Sequence, residues 1–171
     1  MNLNCLILVL ITLSSCCSNK KNTADLSISK INICPTDGKC SIEIFKNKSI
    51  LINSDFGKTN YSIVDDFEKD VIRYQYSKNL DKSDVDGGYR EEIVFEINQD
   101  QTDKKFMNTE IQQTKMLFGR YCFCRGQTGL YDVVNGSLNI KNIDNLDFEL
   151  DFKISEVPQI INHIVVTNGK L

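Results

Sequence analysis

The chain has no tryptophan, two prolines and a single histidine among its 171 residues. It also lacks a charge excess: 20 Lys and Arg stand against 23 Asp and Glu, a formal net charge of −3. Near-neutrality argues against a nucleic-acid partner, which calls for a strong basic excess on one face. The lone histidine, His163, has no recognisable nucleophile partner, and Gly-x-Ser-x-Gly is missing; a hydrolase of that type is excluded. There is no Gly-rich phosphate loop and no Cys-x-x-Cys pair, and neither a repeat nor a low-complexity block occurs. Long apolar runs are missing too. The longest, Leu3 to Leu13, has about eleven residues, whereas a membrane-spanning helix needs ~20.

That short run sits at the N-terminus and has the length of the apolar core of a secretory leader. It ends in Leu13-Ser14-Ser15-Cys16, followed by Cys17. An apolar residue, two small residues and a cysteine behind an apolar run resemble the lipobox of bacterial lipoproteins. The resemblance covers roughly the first eighteen residues. It implies cleavage before Cys16 and acylation of that cysteine; Cys17 is the rival acceptor, but only Cys16 places Leu13 at the apolar position. One acyl chain holds a protein marginally, whereas the two or more that this family carries hold it firmly. Residues 1–15 are then a signal peptide, 16–25 a polar tether containing Lys20 and Lys21, and 26–171 one domain. No acidic residue directly follows Cys16, which favours the periplasmic face of the outer membrane over surface export.

About 155 residues remain after cleavage, enough for one core. Their dominant pattern is alternation with period two, which places alternate side chains on opposite faces of a strand. The clearest case is Leu146 to Ile154, where even positions are apolar and odd ones charged. Tyr89 to Ile97 repeats it with Ile93, Phe95 and Ile97 inward, and Val71 to Tyr76 with Ile72, Tyr74 and Tyr76 inward. Weaker strands are expected at Leu26–Ile33, Cys40–Phe45, Ser49–Asn53, Asn60–Val64, Met116–Cys124, Leu130–Val134, Ser137–Ile140 and Ile164–Thr167. Phe106–Lys115 suits a short helix or a strand, and Glu156–Asn162 a helical turn after Pro158. Phe56-Gly57 and Asn135-Gly136 read as turns, the latter as a type I′ hairpin. Ten or so short strands imply an all-β antiparallel sandwich, with a lipocalin-like barrel as the alternative.

Five cysteines remain beyond Cys5 and Cys16: Cys17, Cys34, Cys40, Cys122 and Cys124. In an oxidising compartment the last four are disulfide candidates. Cys34 and Cys40 bracket a turn that a bridge can close. Cys122 and Cys124, two apart on a strand, share a face; joining them requires the strand to kink, and bonding across to Cys34 and Cys40 is open as well. Four cysteines allow three pairings. Arg120 on that face and the adjacent Arg125 would favour thiolate, hence redox or soft-metal chemistry.

Two acidic groups invite chemistry, and for each the sequence favours a structural reading. Asp81 to Gly88, with Glu91 and Glu92, offers oxygen ligands, but Val85 and Asp86 occupy the fifth and sixth EF-hand positions, where an oxygen ligand and a glycine belong. It reads as a polar loop. Asp147, Glu149 and Asp151 can be paired acids, yet with Lys153 they read as the wet half of an amphipathic strand. The expectation is a lipid-anchored envelope lipoprotein whose β domain is a non-enzymatic binding or structural module. It has no catalytic residue, metal ligand or cofactor. Its partners are the membrane, through N-terminal acyl chains, and an envelope protein or small ligand. The alternative is a thiol redox or metal-binding module at Cys122 and Cys124.

Overall fold

The computed structural model describes residues 34–80, 88–100, 103–142 and 146–167. The leader, Cys16, the tether, the strand expected at Leu26–Ile33 and most of the Asp81–Gly88 loop lie outside them.

The alternation from Leu146 does what period two demands. Leu146, Phe148, Leu150, Phe152 and Ile154 are all buried, while Asp151 and Lys153 stay exposed. Among the described residues nine strands follow in order: β1 (Gly38–Asp55), β2 (Lys58–Lys78), β3 (Arg90–Asn98), β4 (Lys104–Met107), β5 (Leu117–Tyr121), β6 (Gly129–Asp132), β7 (Gly136–Asn142), β8 (Asp147–Phe152) and β9 (His163–Val166). A 3-10 helix, Asn108–Thr114, stands between β4 and β5, so the ambiguous segment holds a strand and then a helix.

The strands form two antiparallel sheets. One has the order β1-β2-β3-β5-β6 and the other β4-β7-β8-β9. Among the described residues no strand pairing joins the two, so the protein is a sandwich and not a barrel. The inner faces meet in one apolar cluster that includes Ile42, Ile44, Ile72, Tyr74, Ile93, Phe95, Phe118, Leu138, Phe148, Leu150 and Ile164. Aromatic rings cross the seam: Phe95 meets Phe148 edge-on at 5.4 Å, and Phe118 meets Phe152 at 5.9 Å. Each such side chain contributes about 1.5–3 kcal/mol by leaving water.

β1 and β2 are long because four expected short strands fuse into two. Cys40–Phe45 and Ser49–Asn53 lie within β1, and Asn60–Val64 and Val71–Tyr76 within β2. Their pairing jumps from Lys46↔Asp70 to Lys48↔Asp65, which leaves Asn47 facing the slack of β2. Asn47 takes a positive φ of 56° there. Beyond this bend the hairpin runs as an arm over the outer face of the five-stranded sheet. Ile50, with Tyr61 and Ile63 beside it, covers Val71, Val94 and Leu117. This accounts for β3, in which every residue from Glu91 to Ile97 is buried: one face meets the opposite sheet and the other meets the arm.

Three local expectations need correction. β5 stops at Tyr121, so Cys122 and Cys124 do not lie on a strand. Asn135-Gly136 is not a hairpin turn, because β6 and β7 belong to different sheets. Gly136 instead has φ 143° and lies against β8, where a Cβ would fall 2.0 Å from the Asp151 carbonyl oxygen. Glu156–Asn162 forms no helical turn. The Gln159 side chain takes over the backbone bonds there: its Oε1 accepts from the Ile154 amide, and its Nε2 donates to the carbonyls of Phe152 and Ile161.

Candidate functional site

The four candidate cysteines pair locally. Cys34 is bonded to Cys40, with Cα atoms 5.8 Å apart, where the chain turns into β1. The Tyr74 hydroxyl donates toward Cys40 Sγ at 3.0 Å. Cys122 is bonded to Cys124 with Cα atoms 5.1 Å apart, a separation that an extended strand would not permit. The chain bends directly after β5, and Thr128 Oγ1 anchors the bend by donating to the Cys122 carbonyl at 2.6 Å. The cross-connection to Cys34 and Cys40 is therefore not made. Nor does Arg120 serve a thiolate. Its guanidinium donates to Gln127 Oε1 at 2.6 Å and to the Tyr89 hydroxyl at 3.3 Å, and lies 5.4 Å from the centre of the Tyr89 ring. Both sulfurs are oxidised and do not titrate.

Alternation does not reveal a set of buried carboxylates. Glu91, Glu92, Glu96 and Asp70 are each at most 3% exposed. Glu91 faces the core and accepts from the Tyr89 hydroxyl and from the amides of Ile160 (2.6 Å) and Ile161 (2.7 Å). It thereby ties the segment before β9 to β3. The other three fasten the arm. Asp70 accepts from Lys46 Nζ at 2.6 Å, the Asn47 amide at 2.9 Å and Gln99 at 2.8 Å. Glu92 accepts from the Tyr61 hydroxyl at 2.7 Å and Gln75 at 2.9 Å. Glu96 accepts from Lys69 (2.6 Å), Ser49 (2.7 Å), the Ile50 amide (2.8 Å) and Lys115 (3.1 Å). Burial by itself would raise the Glu96 pKa. The bonds from Lys69, Ile50, Ser49 and Lys115 outweigh it and hold the carboxyl below the ordinary glutamate value. Glu91 and Glu92, which the sequence also placed among loop oxygen ligands, thus spend their oxygens inside the fold. The sequence signal for this is slight: Glu91, Glu92 and Glu96 fall in one strand with Ile93, Val94, Phe95 and Ile97.

The arm exposes large apolar side chains among polar ones such as Asn53, Asp55, Lys58 and Asn60. Leu51 is 50% exposed, Phe56 97%, Val64 39% and Phe67 83%. Phe56 and Gly57 form the tip, with φ of 47° and 71°, the positive pair of a type I′ turn. A shallow depression of about 520 Å³ at the chain-turning end of the sheet is lined by Lys78, Leu80, Tyr89, Arg90, Tyr121 and Cys122, among others. Arg90 stacks over the Tyr121 ring there at 4.1 Å.

The acidic row of β8 finds a neighbour that sequence spacing hides. Asp151 pairs in register with His163 of β9, and His163 Nδ1 lies 2.6 Å from Asp151 Oδ1. Glu149 belongs to the same group: one ligand-type atom each from Glu149, Asp151 and His163 fall within 4.8 Å of one another. Twelve residues separate His163 from Asp151, so only the β8–β9 pairing brings them together.

Among the described residues no helix is long and apolar enough to cross a membrane. Compared with known protein families, curated proteins and solved structures, the chain matches none.

Proposed function

We propose that this chain is a lipid-anchored envelope lipoprotein, acylated at Cys16 and held on the periplasmic face of the outer membrane. Its sandwich is a non-enzymatic binding module, and its binding surface is the arm. The lipobox-like Leu13-Ser14-Ser15-Cys16 supports the anchor. The observation that carries the binding role is that four large apolar side chains, Leu51, Phe56, Val64 and Phe67, stay exposed on a hairpin whose buried side is clamped to the sheet. Phe56 is the most telling: a fully wet phenylalanine occupies a turn position that favours Asn, Asp or Gly, so local folding does not ask for it. The buried carboxylates favour binding over catalysis, because hydrogen bonds that hold the fold occupy their oxygens.

The test places a photo-crosslinking amino acid at position 51 or 56 in the native cell. A discrete adduct that disappears when Phe67 is changed to Ser is expected; absence of any adduct from both positions overturns the binding surface. Intact mass from membrane extracts tests the anchor separately, and a chain that retains residues 1–15 without acyl groups overturns it.

A thiol redox module is the second reading. It is favoured by the Cys122–Cys124 bond sitting in an exposed bend, with the intervening Phe123 91% exposed. A thiolate from a reductant can reach such a bond. Two thiols released by a mild dithiol, with Cys34–Cys40 intact, would support it, and resistance of both bridges would end it.

A further inference from the structure

We propose that Glu149, Asp151 and His163 form a binding site for one divalent transition-metal ion of the zinc class on the solvent face of the four-stranded sheet. The site is independent of the arm and of the anchor.

The donors converge before any ion arrives. Period two puts Asp147, Glu149 and Asp151 on one face of β8, and the β8–β9 register sets His163 opposite Asp151. The three candidate ligand atoms lie within 4.8 Å of one another. Zinc ligands sit ~2.0–2.2 Å from the metal, which puts neighbouring donors roughly 3.3 Å apart in a tetrahedron. The remaining closure is about 1.5 Å by the same geometry, within reach of side-chain rotation on a backbone that pairing holds still. Beside Asp151 and His163, away from Glu149, a shallow depression of about 430 Å³ opens to solvent, lined also by Asn135, Asn162 and Lys153. Water can complete the shell there.

Asp147 is the next carboxylate in the row, outside the converging group. Among the described residues no Lys or Arg forms an ion pair with Asp147, Glu149 or Asp151, and the only such partner is His163. Carboxylates on alternate positions of one strand face repel one another. A divalent ion between Glu149 and Asp151 relieves their repulsion. The donor set selects among ions: one imidazole with two carboxylates suits zinc or manganese better than calcium, which prefers oxygen alone, or copper(I), which prefers sulfur.

Equilibrium dialysis and calorimetry with zinc alone test this on the untagged full chain. Free thiols are first alkylated under non-reducing conditions, so that Cys5, Cys16 and Cys17 cannot compete. One ion per chain is expected, with His163→Ala and Asp151→Asn each weakening binding at least about tenfold. Because His163 is the only histidine, its imidazole C2 proton gives one NMR resonance, and stoichiometric zinc should shift or broaden it in the unmutated protein. A resonance that stays in place at saturating zinc, a stoichiometry well below one, or folded variants that bind like the parent would each overturn the site.

Discussion

Glu96 shows how much one side chain can decide. It lies 3% exposed between β3 and the arm, and four donors converge on it: Lys69, Ser49, the Ile50 amide and Lys115. Removing one partner of such a group strands the others, at a typical cost of about 3–5 kcal/mol. Glu96→Ala should therefore lower stability by that amount in urea unfolding at neutral pH. The acid limb follows from the lowered pKa. The carboxyl is held below the ordinary glutamate value in the folded state, so the unfolded chain takes up its proton first as pH falls. The stabilisation is present above the unfolded value, near 4.3–4.5, and is lost as pH drops through the folded one. Glu96→Gln should be less stable than the parent at pH 7 and lose less on going to pH 3. Equal pH slopes for parent and variant would remove Glu96 from this role. At Gly136 the constraint is steric: a Cβ there would fall 2.0 Å from the Asp151 carbonyl oxygen and 2.8 Å from Phe152 Cα, both backbone atoms of β8.

At the scale of elements, the hairpin of β1 and β2 separates local from tertiary demands. Its turn at Phe56-Gly57 was legible as a turn, because Gly supplies positive φ without strain. Phe56 is not the residue that local physics selects: its φ is 47°, and an L-residue in that region costs roughly 1–2 kcal/mol. Phe56→Asn should raise the unfolding free energy by roughly 0.5–1 kcal/mol, measured by urea denaturation. The same variant should lose the crosslinked partner at position 51, so stability and binding would move in opposite directions. A variant that is less stable would mean that the ring packs where the structure shows it wet. The root of β1 is held differently. Cys34–Cys40 closes a loop with a sequence separation of 6, and loop-closure entropy for that length is worth about 2 kcal/mol. Replacing both cysteines with serine should lower the unfolding free energy by that much and leave the far-UV spectrum unchanged.

For the molecule as a whole, the tyrosines report on burial. Of its six tyrosines, Tyr74, Tyr76, Tyr89 and Tyr121 are pushed up to about 12, chiefly by burial. Burial and the neighbouring Glu92 push Tyr61 higher still. A raised phenol pKa favours the neutral form in the folded state. The stability it brings is complete below the unfolded value near 10 and is lost as pH rises toward 12. Alkaline absorbance titration should show five phenols lagging behind free tyrosine and then ionising together as the sandwich opens, with the lag abolished in guanidinium. Most phenols titrating near pH 10 in the folded protein would contradict this. The arm matters at this scale too. It converts the outer face of one sheet from a wet surface into a second apolar layer around Ile50, Val71, Val94 and Leu117.

Sequence alone determined the antiparallel all-β class, the inward faces of β8 and of the core side of β3, and the turn between β1 and β2. Alternation is a property of neighbouring residues and needs no third dimension to be read. It could also frame the choices for the cysteines, but not make them. Only the tertiary structure decided that β5 ends before Cys122, that Asn135-Gly136 crosses between sheets, that the wet face of β3 lies under an arm, and that His163 stands beside Asp151. Each of these depends on which strand lies next to which. Register and sheet membership come from packing between segments far apart in the chain, where the local pattern carries no signal.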